Sequence, residues 1–219
     1  MSFASETIEQ LKAPLDRANV ATREQAGRSL SYIEAWHAIA EANRIFGFDG
    51  WMRETVDLRL LGEPRITKDK YGNDQNRVGY SAKVRITVFA GERTIIREGC
   101  GFGSGIDKDV DQAHESALKE AESDAMKRAL MTFGNPFGLA LYDKTQASVA
   151  SPAVMAASVA IGLCSTEAEL SQWYEANKAM IDRMGGNDKA DVRRIYGDRL
   201  KALREAAPKT AETPFDEAA

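Results

Sequence analysis

The feature that most limits how this chain can fold is a regular alanine repeat. Alanine recurs at every fourth position from residue 113 to residue 129, inside a segment of helical character over residues 110–133. Asp109 and Gln112 form a helix-start signal, and Gly134 stands where such a helix must stop. Because a face of methyl groups lets a helix approach a sheet closely, the sequence predicts one long helix packed on β-strands.

Three alternating segments precede this helix and are typical of β-strands: WMRETVDLRLL at 51–61, RVGYSAKVRITVF at 77–89 and RTIIREGCGF at 93–102. In the second segment one face carries Val78, Tyr80, Ala82, Val84, Ile86 and Val88. The polar residues between the first two segments indicate a loop or the tip of a long hairpin. The fold class is therefore predicted as α+β, with an antiparallel sheet of three strands, or slightly more, packed on the long helix.

Helical patterns also lie on either side of this predicted core. An amphipathic helix is predicted over residues 29–47 from the spacing of Ile33, Trp36, Ile39 (or Ala40), Asn43 and Phe46. A capping box at Thr166 and Glu169 begins a second helix, whose inward stripe is predicted as Leu170, Trp173, Asn177, Met180 and Met184. The chain is thus interpreted as a core over residues 1–145, a linker over 146–165, a C-terminal helical hairpin over 166–206 and a disordered acidic tail over 207–219.

Composition excludes several classes of protein. With 219 residues, 43% hydrophobic and 28% charged, the chain resembles an ordinary globular protein. No apolar run approaches the roughly 20 residues that a membrane helix needs. The first residues lack the pattern of a secretion signal, and two cysteines do not form a disulfide framework. These observations predict a protein of the reducing cytoplasm.

The net charge of −4 conceals an uneven distribution. Residues 50–103 contain ten Lys or Arg against seven Asp or Glu, whereas the remaining 165 residues contain 19 against 26. The basic excess therefore coincides with the predicted strands, which is where an anionic partner is expected.

The glycine-rich stretch GCGFGSG, at 99–105, invites comparison with a phosphate-binding loop. Neither register matches the dinucleotide fingerprint, because its last glycine position falls on Ser104 or on Ile106. Alternate glycines leave one face of the strand bare, so that a neighbouring backbone or a polynucleotide can approach closely.

No other motif points to catalysis. The run DKDVD at 107–111 lacks the glycine and the glutamate that an EF-hand requires. His37 and His114 have no partner at metal-ligand spacing and are interpreted as residues of a helix surface. No nucleophile stands in a recognisable catalytic context, so the chain is predicted not to be an enzyme and to need no cofactor.

Basic residues form two candidate binding clusters. Alternating positions place Arg77, Lys83 and Arg85 on one strand, and Arg93 and Arg97 on the next, so one face of the sheet is expected to present a ladder of cations. On the long helix, Lys119, Ser123 and Lys127 share a face, with Arg128 beside them. Each cluster also has an explanation that involves no ligand. The strand cations fit a solvated outer face of the sheet, and the helix cations fit a complement to the helix dipole, with Asp124 paired to Arg128.

Two longer motifs carry a family resemblance. The segment DAMKRALMTFGNPFGLALYDK, at 124–144, and the segment LSYIEAWHAIAEANRIFGFDGW, at 30–51, resemble the hallmarks of the Rad52 family of single-strand annealing proteins. The resemblance extends over about residues 5 to 145. It implies a non-enzymatic protein that binds single-stranded DNA, and double-stranded DNA more weakly, in a basic groove around a ring of identical subunits and anneals complementary strands without ATP.

The resemblance also implies roles for particular residues. Lys127 and Arg128 are expected to contact the DNA backbone, with Lys119, Lys83, Arg85, Arg77, Arg97 and His37 as further candidates. His37 stands where relatives carry a basic residue, and Met131 stands where eukaryotic relatives often carry an arginine.

A bacterial or phage source and a cytoplasmic, nucleoid-associated location are predicted. A strand-exchange recombinase or a single-strand-binding protein is a possible partner of the C-terminal part. Two other functions stay open, namely a DNA-end-binding protein that protects ends without annealing and a nucleotide-dependent enzyme that uses the glycine strand.

Overall fold

A computed structural model describes residues 3–25, 27–144 and 148–206. The chain divides into two compact units, Met1–Val149 and Ala150–Ala219. The first unit contains α1 (Ser5–Lys12), β1 (Leu15–Asp16), β2 (Val20–Gln25), β3 (Arg28–Ile33), α2 (Ala35–Phe46), β4 (Trp51–Leu60), β5 (Arg65–Lys68), β6 (Asp74–Ala90), β7 (Arg93–Asp107) and α3 (Val110–Met131), with short 3-10 turns at Arg17–Asn19, Asn135–Phe137 and Leu139–Tyr142. The α+β class predicted from the sequence is confirmed.

Strand β6 is the centre of an antiparallel sheet. Strands β4 and β5 pair with successive stretches of one side of β6, and β7 pairs with the other side along almost its whole length. The hairpin-tip interpretation of residues 62–76 is confirmed, since β5 folds back on the start of β6. A bulge between Thr55 and Asp57 shifts the register of β4 by one residue. Odd-numbered residues of β4 therefore lie on the helix side of the sheet before the bulge and on the opposite side after it.

The register assigns each side chain of the sheet to one of two faces. We call the side that packs on α3 the helix face; it includes Val78, Val84 and Ile86, which are buried. We call the other side the far face; it includes Lys83, Arg85 and their neighbours on β7, Glu98 and Cys100.

The contact between α3 and β7 is made by backbone. The alanines at 113, 117, 121, 125 and 129 are all 0% exposed. Opposite them, a Cβ atom added at Gly101 would lie 2.2 Å from Ala125 N, and one at Gly103 would lie 1.9 Å from Ala117 O. Gly99 and Gly105 meet α3 in the same way. The close approach of helix to sheet is therefore confirmed, and the bare face of the glycine strand receives a helix rather than a phosphate.

Carboxylates from α3 also reach the outer edge of β7. The backbone N–H of Ser104 donates to Glu120 Oε2 at 2.8 Å, and that of Phe102 donates to Asp124 Oδ2 at 3.3 Å. These bonds satisfy two donors that an edge strand otherwise exposes.

The helix predicted over residues 29–47 is wrong in its first third. Residues 28–33 form β3, which pairs with β2 from Val20↔Ile33 to Gln25↔Arg28, and α2 begins only at Ala35. Ile33 is buried as the last residue of the strand rather than as part of a helical stripe. Pairing with β2, which the sequence did not reveal, overrides the helical spacing.

The second unit consists of α4 (Pro152–Leu163), α5 (Glu167–Arg183) and α6 (Gly186–Ala206). Helix α4 occupies most of the segment that was interpreted as a linker, because Ser151 caps it and Pro152 suits its first turn. Thr166 caps α5, as predicted, but Met180 is exposed and Ile181 is buried in its place. The predicted acidic tail at 207–219 lies outside the described residues.

Substituting a glycine of β7 that faces α3 tests the backbone contact. In Gly103→Ala, the new Cβ collides with backbone of α3, so we expect a loss of about 3 kcal/mol or more in unfolding free energy. Gly79→Ala is the matched control, since its Cβ meets the side chain of Phe102 at 3.3 Å rather than backbone. Chemical denaturation measures the unfolding free energy of both variants, and equal stability of the two would contradict the backbone contact between α3 and β7.

Candidate nucleic-acid interface

The strand register separates the cations that were expected to form one ladder. Lys83 pairs with Cys100 and Arg85 with Glu98 on the far face, whereas Arg97 pairs with Ile86, a helix-face residue. The guanidinium of Arg97 lies 5.7 Å from the ring centroid of Phe133, which follows α3. The single-face ladder is therefore wrong, because alternation within each strand does not give the phase between two strands.

Glu98 neutralises much of the far face. Its carboxylate lies 2.5 Å from Lys83 Nζ and 2.8 Å from Arg85 Nη2, and Glu54 lies 3.7 Å from Arg85. The hydrogen bonds from Lys83 and Arg85 hold the pKa of Glu98 below its ordinary value. A phosphate must compete with this carboxylate for both cations.

We expect Glu98→Gln to strengthen binding of single-stranded DNA if Lys83 and Arg85 contact it. The substitution releases two cations, so the dependence of log affinity on log salt should steepen by about 0.7 for each added phosphate contact. Glu92→Gln, in the turn after β6, changes the net charge equally and is the control. Fluorescence anisotropy at several salt concentrations measures the effect, and identical behaviour of the two variants would exclude Lys83 and Arg85 from the interface.

Two of the helix cations are also paired. Lys119 forms an ion pair with Glu115, one turn earlier. Arg128 donates to Asp124 at 2.9 Å, and this hydrogen bond raises the pKa of Arg128. The Asp124–Arg128 pair that the sequence left open is therefore present.

Lys127 has different surroundings. Its ammonium lies 5.5 Å from the ring centroid of Tyr32 on β3, and the guanidinium of Arg23 on β2 lies 5.6 Å from the same centroid. Among the described residues no carboxylate forms an ion pair with Lys127 or Arg23. We call Arg23, Tyr32 and Lys127 the Tyr32 cluster. Sequence reasoning missed Arg23 and Tyr32, because the β2–β3 hairpin that carries them was not predicted.

The phenol of Tyr32 stays protonated in this cluster. Tyr32 Oη donates to Glu34 at 3.1 Å, and this bond raises the pKa of Tyr32 above its ordinary value. The cluster therefore combines two cations with a neutral aromatic ring. Such a combination suits a polynucleotide, whose phosphates are anionic and whose bases stack on aromatic rings.

Arg77 lies at the other end of the sheet, where β5 pairs with β6. Its register partner is Arg65, and neither guanidinium has a hydrogen bond or ion pair among the described residues. The structure therefore does not join Arg77 to the Tyr32 cluster.

The predicted surface position of His37 is wrong. Its side chain is only 6% exposed, and no hydrogen-bond partner within the described part of the chain meets its Nε2. Burial lowers the pKa of His37 from its ordinary value of 6.5, against smaller opposing effects of Glu41 and Asp16. The ring is therefore neutral and interior rather than a cation available to DNA.

We expect His37→Leu to raise stability by about 1 kcal/mol, because it removes an unsatisfied buried polar atom. Since the folded pKa is lowered, the wild-type chain should lose stability as the pH falls through about 6.5, and the variant should not share this loss. His114→Leu is the contrasting control, because it removes a histidine whose Nδ1 is hydrogen-bonded to Tyr80 Oη at 3.0 Å. Thermal denaturation between pH 7.5 and 5.5 measures both, and a destabilised His37→Leu would contradict the expectation.

Comparison with known families gives a match over most of the chain. The model of the Rad52/22 family double-strand break repair protein matches residues 4–156, more than half of the chain. The chain belongs to the Rad52/22 family. Family membership supports the prediction that it is not an enzyme.

Individual relatives are fungal DNA repair and recombination proteins. The chain is 42% identical over 119 residues to rti1 and 41% identical over 120 residues to rad22, both of Schizosaccharomyces pombe. It is 38% identical over 118 residues to RAD52 of Saccharomyces cerevisiae. These matches cover 54%, 54% and 52% of this chain.

The matched region spans only 30%, 24% and 23% of those three relatives. Because the relatives named here are fungal, they do not support the predicted bacterial or phage source, which stays a prediction. No helix within the described ranges is long and apolar enough to cross a membrane.

Proposed function

We propose that this chain binds single-stranded DNA and anneals complementary strands without ATP, in homologous recombination and double-strand-break repair. The Tyr32 cluster carries the proposal, since it places Lys127, a residue of the family motif, beside a second cation and an aromatic ring, and neither cation forms an ion pair with a carboxylate of the described residues. Binding to duplex DNA is proposed to be weaker, because paired bases are not available to the ring.

The chemistry of annealing fits such a surface. Two strands repel each other through their phosphates, and cations on the protein reduce that repulsion. Contacts to the backbone position a strand without reading its sequence, so its bases stay free to search for a complement. Base pairing supplies the free energy, and no covalent bond has to change.

We also propose that the protein works as a ring or helical homo-oligomer. Exposed apolar side chains on both edges of the sheet support this assembly: Val56, Leu58 and Leu60 on β4, and Ile96 and Ile106 on β7. Because the exposed side chains of the two edges differ and lie on opposite sides of the sheet, contact between them is head to tail, which generates rings or helices rather than isolated pairs.

The predicted nucleoid-associated location and a recombinase or single-strand-binding protein as partner belong to the same proposal. Trp173 and Tyr174 of α5 are half-buried, and Tyr174 packs on Tyr196 with ring centroids 5.0 Å apart. Val159 and Leu163 of α4 are exposed apolar residues of the second unit, and they favour a partner surface there.

The first test compares Lys127→Ala with Lys119→Ala. Both variants remove a lysine from α3, but only Lys127 belongs to the Tyr32 cluster, whereas Lys119 is already paired with Glu115. We expect Lys127→Ala to slow annealing about tenfold and to lower the salt slope of single-strand binding by about 0.7. The pairing rate of two labelled complementary oligonucleotides, without ATP, measures the effect, and sedimentation verifies that both variants assemble as the wild type does.

Each result has a definite meaning. Equal annealing by the two variants would contradict the role of the Tyr32 cluster. Strand binding by the wild type without faster pairing would replace annealing with the DNA-end-binding alternative, which predicts that bound ends resist an exonuclease.

A further inference from the structure

A pocket lies on the far face of the sheet, at the junction of β5, β6 and β7. Its volume is about 310 Å³, and its lining includes Glu63, Arg65, Arg77, Gly79 and Phe102. This is space for one nucleotide-sized ligand rather than for a folded partner.

Two arginines give the pocket its charge. Arg65 and Arg77 are direct partners in the β5–β6 register, so their Cβ atoms stand about 5 Å apart on one face. Like charges in this position destabilise a strand pair. In the part of the chain described, neither arginine has a carboxylate within ion-pair distance, and Glu63 brings the summed formal charge of the lining to +1. An anion bound between the guanidiniums relieves their repulsion.

An aromatic ring forms another wall. Phe102 is 55% exposed, although it lies well inside the 15-residue strand β7. A Cβ atom at Gly79 would lie 3.3 Å from Phe102 Cε2, so the ring rests on the sheet where the glycine leaves room. The ring therefore has a supported position and an accessible surface, which are the requirements for stacking against a planar group.

The supporting hairpin is held in place by its own polar contacts. Asp69 accepts hydrogen bonds from the backbone N–H groups of Tyr71 and Asn73, and Lys68 forms an ion pair with Asp74. Asn76 donates to Lys108 O at 2.9 Å, which ties β6 to the end of β7. The arginines thus stand on a braced β5–β6 hairpin rather than on a long loop.

We propose that this pocket binds one nucleotide of single-stranded nucleic acid, with its phosphate between Arg65 and Arg77 and its base against Phe102. The inference rests on the proposed function, and it adds a second contact on the opposite face of the sheet from α3. Guanidinium forks suit phosphate oxygens, and a phenyl ring accepts any base, so the pocket holds a strand without reading its sequence.

Two variants separate the parts of this site. Arg65→Gln combined with Arg77→Gln should weaken binding of a labelled oligothymidylate about tenfold and reduce its salt slope by about 0.7. Phe102→Leu should weaken binding about fivefold and leave the salt slope unchanged, because stacking involves no counterion release. Arg194→Gln combined with Lys201→Gln on α6 is the control with the same loss of charge.

A photocrosslink locates the base directly. Oligonucleotides that contain 5-iodouracil should crosslink to Phe102 in the full-length wild type, as mapped by mass spectrometry, and the double arginine variant should lose this crosslink. Excess thymidine 5′-monophosphate is then added as a competitor. Loss of the crosslink at modest competitor concentration would identify the free nucleotide as the ligand, and retention would identify the strand.

The outcomes distinguish this inference from the proposed function. Annealing by the wild type with unaltered binding by the pocket variants, and no crosslink at Phe102, would overturn the pocket alone. A crosslink at Phe102 in a wild type that does not accelerate pairing would overturn annealing alone. Wild-type affinity in every pocket variant, without any crosslink and in a wild type that does not accelerate pairing, would overturn both.

Discussion

The backbone contact between α3 and β7 is the constraint on which the rest of the first unit depends. Alanine at every fourth position fixes the rotation of α3, because any other face of that helix would bring larger side chains against the glycine strand. With the rotation fixed, Lys127 must point toward the β2–β3 hairpin, where Tyr32 meets it. The position of the candidate DNA contact therefore follows from contacts made by the smallest residues in the chain.

Long periodic segments could be predicted from the sequence, and short ones could not. Helix α3 and strand β6 extend over 22 and 17 residues, so their periodicity is unambiguous. Strands β2 and β3 have six residues each and depend on pairing with one another, which is a property of two segments at once. The Tyr32 cluster needed that pairing, so only Lys127 of its three members was predicted.

The arrangement of charges shows a related limit. Spacing within a strand correctly placed Lys83 and Arg85 on one face, but it could not show that Glu98 stands beside them or that Arg97 faces α3. Formal charge counts therefore overestimate the cations available to a polynucleotide. No carboxylate among the described residues forms an ion pair with Lys127, Arg23, Arg65 or Arg77. The same holds for Arg97, whose guanidinium lies by the Phe133 ring. Of the first four, only Lys127 and Arg77 were candidates from the sequence.

The carboxylates of Glu120 and Asp124 along β7 have a consequence for unwanted association. Cross-β fibrils grow when both edges of a sheet accept new strands, because each added strand then presents the next free edge. To pair with β7, an added strand must first displace the two hydrogen bonds that the backbone N–H groups of Phe102 and Ser104 donate to these carboxylates. Backbone pairing of a further strand is thus hindered at one of the two edges, which opposes strand-by-strand growth, and copies that meet head to tail do so through the exposed side chains of the two edges.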